Sequence, residues 1–224
     1  SLNNKLYNFT HIVSHNIRSH ASNLSMVIDV IESTEDISEK LSYFDLFKEG
    51  TEKLSETIEY LNEIITIQQK TNIEKTKINL KHEIEKTKMA LSLVIKESKI
   101  TITDAIPDDL MVTAIPAYLD SILLNLCTNA IKYKSPERKP TLEISYEIIE
   151  DYVVLNFKDN GLGLDLKKNA HKLFGMYKTF HGNEDAKGIG LFITKNQLEA
   201  MNGKIEIESE VGQGSNFKIY LNEK

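Results

Sequence analysis

The chain has 224 residues, of which 41% are apolar and 27% charged, and a net charge of −6, so it can bury one or two ordinary globular cores. The acidic balance excludes sequence-independent nucleic-acid binding and a surface held to anionic lipid, because both need a basic excess. A single cysteine, Cys127, excludes an internal disulfide framework and, within an apolar helical pattern, reads as a buried, inert thiol.

No apolar run approaches the roughly twenty residues of a membrane span, and there is no signal peptide. The first residue is Ser1 rather than Met, which points to a cut-out or processed chain. The expected localisation is cytoplasmic, with membrane attachment only through a segment absent from this chain.

In chain order, residues 2–33 form a helix whose apolar stripe is Leu6, Val13, Ile17, Leu24, Val27 and Ile31, with Thr10 and His20 as its polar members. At roughly 100° per residue, His15 points away from that stripe, on a face shared with His11 and Ser19. This can be a solvated face that happens to hold histidines. A metal pair formed by His11 and His15 lacks a carboxylate or thiol on the same face to complete a ligand set. The third reading is chemical, since an exposed, unprotonated imidazole is a nucleophile.

Polar residues 32–36 interrupt the stripe, and Asp36 suits a helix cap. A second helix over residues 40–69 repeats the device with Phe47, Leu54, Ile58, Leu61 and Ile65. Two such helices make a hairpin, and a dimer of hairpins forms a four-helix bundle with His15 outside. Gly50 weakens the second helix locally, and no function is read into it.

Near residues 71–72 the heptad stops and a second domain opens. A strand at 77–80 precedes an amphipathic helix over 82–97 with Met89, Leu93 and Val94 inward. Short strands at 100–103 and 110–112 lead to a strong helix over 115–133, closed by Lys134, Ser135 and Pro136. Residues 142–149 and 152–158 alternate as a hairpin around Glu150 and Asp151. After a Gly-rich region come a helix over 189–201 and strands at 204–209 and 215–221. Helices and a mixed sheet segregate as an α+β sandwich.

Four clusters in this second domain carry chemistry. Asn125 and Asn129 share a helix face, with Lys132 and Tyr133 just beyond, and their amide oxygens can coordinate a hard cation. Asp159, Asn160, Gly161, Leu162 and Gly163 place a carboxylate at a strand end beside glycines that admit a close-lying ligand. Gly188, Ile189, Gly190 and Leu191 open a helix and offer backbone N–H groups to phosphate. Gly212 to Ser215 makes a tight turn through Gly214 between the last strands. Singly, the Asp-x-Gly-x-Gly can be only a turn, the Gly-x-Gly only a helix start, and the asparagines a solvated pair.

Their order is what resembles a family. The Asn pair, Asp-Asn-Gly-x-Gly, a Phe-bearing linker, Gly-x-Gly-Leu and Gly-x-Gly-Ser together resemble the ATP-binding domain shared by histidine kinases, gyrase and MutL, the GHKL or Bergerat-type α/β sandwich. Residues 14–19, Ser-His-Asn-Ile-Arg-Ser, resemble the phosphoacceptor box of sensor histidine kinases. The resemblance covers nearly the whole chain and implies a two-component sensor histidine kinase core: a dimerisation and phosphotransfer hairpin at 1–71 and a catalytic ATP-binding domain at 72–224.

The resemblance implies transfer of the γ-phosphoryl group of ATP to His15 and onward to an aspartate of a response-regulator receiver domain. Asn129 would hold Mg²⁺, and Asn125 would help activate the reaction. Lys132 and Tyr133 would flank phosphates and nucleoside, and Asp159 would accept from the adenine amine with Gly161 and Gly163 beside the base. Phe174 would begin a mobile lid, from which Lys178 or His181 reaches the γ-phosphate. Gly188, Gly190 and Leu191 would close around the phosphates, with Gly214 and Ser215 in the last turn.

The pattern departs at three places. Asn16 stands where the family has an acidic residue; an amide can orient the ring of His15 but cannot take its proton at neutral pH. Ser19 replaces a Thr or Asn thought to orient water in dephosphorylation, and His20, on the bundle side, replaces a common proline. Asn16 therefore keeps a rival open, a catalytically weak dimeric scaffold or response-regulator phosphatase. A clamp ATPase of the gyrase or MutL kind is the second rival, opposed by the His15 hairpin in front of the site.

Overall fold

A computed structural model describes residues 2–69, 74–169 and 190–223, with side chains described from residue 17 onward except at 53, 56, 57, 59–73 and 168–189. The chain divides into two compact units, residues 1–69 and 70–224.

The first unit is an αα-hairpin. Helix α1 spans Leu2–Ser33 and α2 spans Ile37–Gln69. Ile17, His20, Leu24, Val27 and Ile31 are the half-buried residues of α1 among those described, the stripe expected from their spacing, and Phe47, Gly50, Thr51 and Leu54 are half-buried on α2. α2 starts three residues earlier than its apolar pattern because Asp36 caps it: its Oδ1 accepts the Glu39 N–H at 2.9 Å and its carbonyl accepts the Lys40 N–H at 2.9 Å. Gly50 has a use after all. A Cβ there would lie 2.8 Å from Leu24 Cδ2, so its absence lets Leu24 reach the α2 backbone. Ile58 departs from the expected stripe and is 42% exposed, beside an outer row in which Ile37, Leu41 and Phe44 also face solvent.

The second unit begins with β1 (Thr76–Asn79), then α3 (Leu80–Ala90) and α4 (Ser92–Ser98). Asn79 caps α3 by accepting the His82 N–H at 2.8 Å. The expected single helix is two because the chain breaks at Leu91, where backbone φ and ψ of −92° and 5° leave the helical region. The break resets the phase. Leu80, Ile84, Thr87 and Leu91 are buried, whereas Met89 (78% exposed), Leu93 and Val94 face outward, against expectation.

Strands β2 (Thr101–Asp104) and β3 (Met111–Ala114) precede α5 (Pro116–Lys132), whose first residue is a proline that needs no intrahelical acceptor. β4 (Thr141–Ile149) and β5 (Tyr152–Asp159) form the expected hairpin, with Glu150 in the left-handed region at φ 52°. A turn of helix, α6 (Leu166–Asn169), precedes α7 (Gly190–Ala200), β6 (Lys204–Glu210) and β7 (Gly214–Asn222).

The five-stranded sheet runs β2-β4-β5-β7-β6, with β2 parallel to β4 and the other pairs antiparallel, while β1 and β3 pair separately. Its inner residues, including Leu142, Ile144, Leu155, Phe157 and Ile219, pack under Leu119, Ile122, Leu123 and Leu126 of α5, each worth about 1.5–3 kcal/mol of burial. Cys127 lies in this layer, and burial pushes its thiol up to about 12, so it is inert at neutral pH. Among the described residues no helix is long and apolar enough to cross a membrane.

An ionic cluster ties α3 to the end of β2. The Asp104 side chain, 3% exposed, accepts from Lys81 Nζ at 2.5 Å and from Lys88 Nζ. Burial alone would raise its pKa, but the two lysine hydrogen bonds outweigh burial and hold the carboxyl below its usual range.

Candidate functional site

β5 alternates its faces, so Asp159 points to the same side as Phe157, into the layer between sheet and helices. Asp159 Oδ1 accepts the Gly161 N–H at 2.7 Å and the Ser215 N–H at 3.3 Å. Both bonds fall on one oxygen, which leaves the other as the acceptor for a ligand. Burial pushes the Asp159 pKa up, and the two N–H bonds and the Arg138 charge only partly counter it.

The glycines around Asp159 are where backbone meets backbone. A Cβ on Gly161 would lie 2.3 Å from the Tyr133 carbonyl oxygen, one on Gly163 (φ +67°) 1.9 Å from the Glu210 carbonyl, and one on Gly214 (φ +108°) 2.1 Å from the Asp159 carbonyl. The Leu162 N–H donates to the Tyr133 carbonyl at 2.9 Å and the Gly212 N–H to the Leu162 carbonyl at 2.7 Å. The loop after β5 is thereby clamped between the end of α5 and the β6–β7 turn.

Two contributors, Arg138 and Ser209, have no local signal in the sequence, and a third, Asn160, lies inside the Asp-Asn-Gly-x-Gly motif with its partners far along the chain. Arg138 Nη2 donates to the Gly161 carbonyl at 2.9 Å. Ser209 Oγ accepts the Leu164 N–H at 2.8 Å, donates to the Gly214 carbonyl at 2.9 Å and lies 2.8 Å from Ser215 Oγ. Asn160 is fastened at both ends of its amide, Oδ1 accepting the Thr141 N–H and Nδ2 donating to the Lys139 carbonyl, each at 2.9 Å.

Asn125 and Asn129 lie one turn apart on α5 and are both half-buried. Asn125 Nδ2 donates to Thr194 Oγ1 on α7 at 2.7 Å, and its Oδ1 lies where a Cβ on Gly190 would be, 2.2 Å away. Gly190 and Leu191 open α7, whose first-turn N–H groups lack intrahelical acceptors. One turn past Asn129, the Tyr133 N–H closes α5 on the Asn129 carbonyl at 2.9 Å. Lys132 and Tyr133 are half-buried, and burial pushes the Tyr133 hydroxyl up. The structure thus brings Asn125, Asn129, Lys132, Tyr133, Asp159, Gly161, Gly163, Gly190, Leu191, Gly214 and Ser215 around the C-terminal half of α5. Phe174, Lys178, His181 and Gly188 lie outside the described residues.

On the hairpin, Ser19 is exposed and His20 half-buried on the inner stripe; His15 and Asn16 are on the α1 backbone, their side chains outside the described set. Among the described residues no group of three His, Cys, Asp or Glu gathers to hold a metal ion.

Residues 114–224 match the family described as histidine kinase-, DNA gyrase B- and HSP90-like ATPases. Along most of the chain, the sensor protein kinase WalK of Staphylococcus haemolyticus (strain JCSC1435) is 25% identical over 218 residues, 93% of this chain and 35% of that protein. The chain is thus similar to two-component sensor histidine kinases over 93% of its length.

The cyanobacterial phytochrome A of Nostoc sp. is 33% identical to this chain over 108 residues, 47% of this chain and 14% of that protein. The same fold recurs in the histidine kinase AdeS of Acinetobacter baumannii, with TM-score 0.72 and 20% identity over 94% of this chain and 98% of that one. It recurs again in the histidine kinase ThkA, solved in complex with the response regulator TrrA, with TM-score 0.75 and 21% identity over 97% of this chain and 61% of that one. The chain spans about a third of the WalK relatives' length. Its C-terminal unit carries the family's ATP-binding ATPase domain.

Proposed function

We propose that this kinase core transfers the γ-phosphoryl group of ATP to a ring nitrogen of His15 and then to an aspartate of a response-regulator receiver domain. The observation that carries the proposal is Asp159, an inward-facing carboxylate with one oxygen committed to backbone N–H groups and the other left for a ligand amine, in a chain whose N-terminal hairpin bears His15. Residues 1–71 serve dimerisation and phosphotransfer, and 72–224 bind nucleotide. In the first transfer the N–P bond forms as the bond from γ-phosphorus to the bridging oxygen breaks, and ADP leaves. Positioning and charge neutralisation do most of the work.

Each side chain has a part. Asp159 accepts from the adenine amine, with Gly161, Gly163, Gly214 and Ser215 holding the loop and turn that aim it. Tyr133 and Lys132 flank nucleoside and phosphates. Gly190 and Leu191 offer N–H groups at the positive end of α7, and the family resemblance gives Gly188, Phe174 and Lys178, outside the described residues, to the phosphates. Two half-buried amides a turn apart, Asn125 and Asn129, suit Mg²⁺, which takes one or two protein oxygens and fills its shell with phosphate and water. Asn129 would hold that ion, whose charge offsets the charge on the phosphates. Asn16 orients the imidazole of His15, and Ser19 orients water for dephosphorylation of the receiver.

The working unit is a homodimer. The exposed outer row of Ile37, Leu41, Phe44 and Ile58 on α2, left uncovered by α1, supports a second hairpin against it. The complex of ThkA with TrrA supports a receiver as partner. The core works on the cytoplasmic side of whatever longer protein carries it.

Incubation with radiolabelled MgATP tests the proposal: acid-labile, base-stable label should appear and be lost in His15→Gln. Asn16, which cannot take the ring proton, favours one second reading, a phosphatase or scaffold of the same fold. It would be supported by ATP binding without label and by label restored in Asn16→Glu.

A further inference from the structure

The hydroxyl of Thr194 is unused by the mechanism above. It lies on α7 at 1% exposure, in a helix whose other buried residues are Ile193, Gln197 and Leu198, and the Asn125 Nδ2–H donates to it at 2.7 Å. A buried hydroxyl needs a partner, and here that partner is an amide. The two ends of an Asn amide have nearly the same shape, so hydrogen bonds decide which end faces a ligand. With Nδ2 on Thr194, Oδ1 lies against Gly190 at the first turn of α7, the position a Cβ on Gly190 would take at 2.2 Å. That end of a helix carries unpaired N–H groups and partial positive charge, which favour an oxygen and disfavour an NH₂ group. The helix end thus selects the orientation that the hydroxyl, by accepting from Nδ2, anchors.

We propose that Thr194 is a positioning residue that makes Asn125 an acceptor toward the phosphate end of the site, and so tunes the core for metal-loaded over metal-free nucleotide. This rests on the nucleotide-binding reading above. An oxygen turned to the phosphates attracts a divalent cation or its bound water and repels bare phosphate; an NH₂ group turned the same way does the reverse. Because Thr194 and Gly190 share α7, the same contact ties the position of that helix to the amide.

The test is isothermal titration of ADP into the full chain with Mg²⁺ and with EDTA, read as the ratio of the two affinities. Thr194→Val keeps the shape and removes the acceptor. Its Mg²⁺-dependent ratio should fall roughly 3- to 10-fold, the worth of one hydrogen bond, with EDTA binding unchanged or stronger. Thr194→Ser should retain the wild-type ratio, and Thr194→Val should add nothing in an Asn125→Ala background. Should the valine variant fail to fold, Thr194→Ala carries the same expectation. An unchanged ratio, or equal weakening with and without Mg²⁺, means that Thr194 serves packing alone and overturns the inference. Absence of ADP binding by the wild-type chain would instead sink the nucleotide reading and this inference with it.

Discussion

Asp159→Asn separates recognition from stability. Asp159 Oδ1 takes the Gly161 and Ser215 N–H groups at 2.7 and 3.3 Å. In the variant the amide oxygen keeps those two bonds, which turns the NH₂ group to where the second carboxylate oxygen stood. On the proposed function, a donor then faces the donor amine of adenine. The loss is that of a hydrogen bond to a charged group, about 1.5–3 kcal/mol, or about 10- to 150-fold in Kd.

Stability should move the other way. Burial holds the Asp159 pKa above its ordinary value, so the folded state disfavours the charge, and the neutral variant should be no less stable in urea than the wild type. Titration of ADP alongside urea unfolding measures both quantities. An affinity loss below about threefold, far short of a charge-assisted bond, would refute the reasoning. So would a loss that merely tracks destabilisation.

Protonation gives a parallel readout. Wild-type affinity should fall as pH drops through the raised pKa of Asp159, starting above the ordinary carboxylate value of about 3.9, and Asp159→Asn should lack that phase. The same group's contribution to stability has the opposite sign: present at low pH and lost as pH rises through the raised pKa, because the native state holds the proton more tightly. Asp104 runs in reverse. Its lowered pKa gives stability present above about 3.9 and lost as pH falls through the folded value. Asp104→Asn, which leaves Lys81 and Lys88 with Glu85 as an ion-pair partner, should cost about 1.5–3 kcal/mol in urea unfolding. Gly214→Ala should destabilise more than Gly212→Ala, since a Cβ meets the Asp159 carbonyl at 2.1 Å in the first and nothing within 4 Å in the second, although both φ angles are positive. Leu41→Glu with Phe44→Glu should leave a folded monomer in sedimentation if the outer row of α2 is the dimer face.

Local pattern and long-range contact divide what was legible. The α1 stripe from Ile17 to Ile31 and the β4–β5 hairpin around Glu150 follow from periodicity and turn chemistry, and the structure has them. Met89 departs from expectation because it falls two residues past the buried Thr87, off the inner face that Leu80, Ile84 and Thr87 set for α3. The misreading of Leu93 and Val94 has a separate cause. A one-residue break at Leu91 rotates the following helix, and an apolar count carried through the break assigns the wrong face. At the site, the residue types and their order pointed to Asp159 and Asn125, but not to what aims them. Ser209 meets Leu164 across 45 residues of chain and Thr194 meets Asn125 across 69, separations at which no local pattern speaks. The glycines of the loop after β5 were legible as sites of close approach. That the approaching groups are the Tyr133 and Glu210 carbonyls required the fold.

The central claim is that His15 receives the phosphoryl group. After incubation with MgATP, the chain should be digested and separated at alkaline pH, where phosphohistidine survives, and its peptides mapped by mass. The account predicts one phosphoryl group on the peptide bearing His15, placed on that residue by fragmentation and absent from Asn129→Asp. Phosphoryl on His11 or His20 instead, or an unmodified chain that still binds ATP, would contradict it.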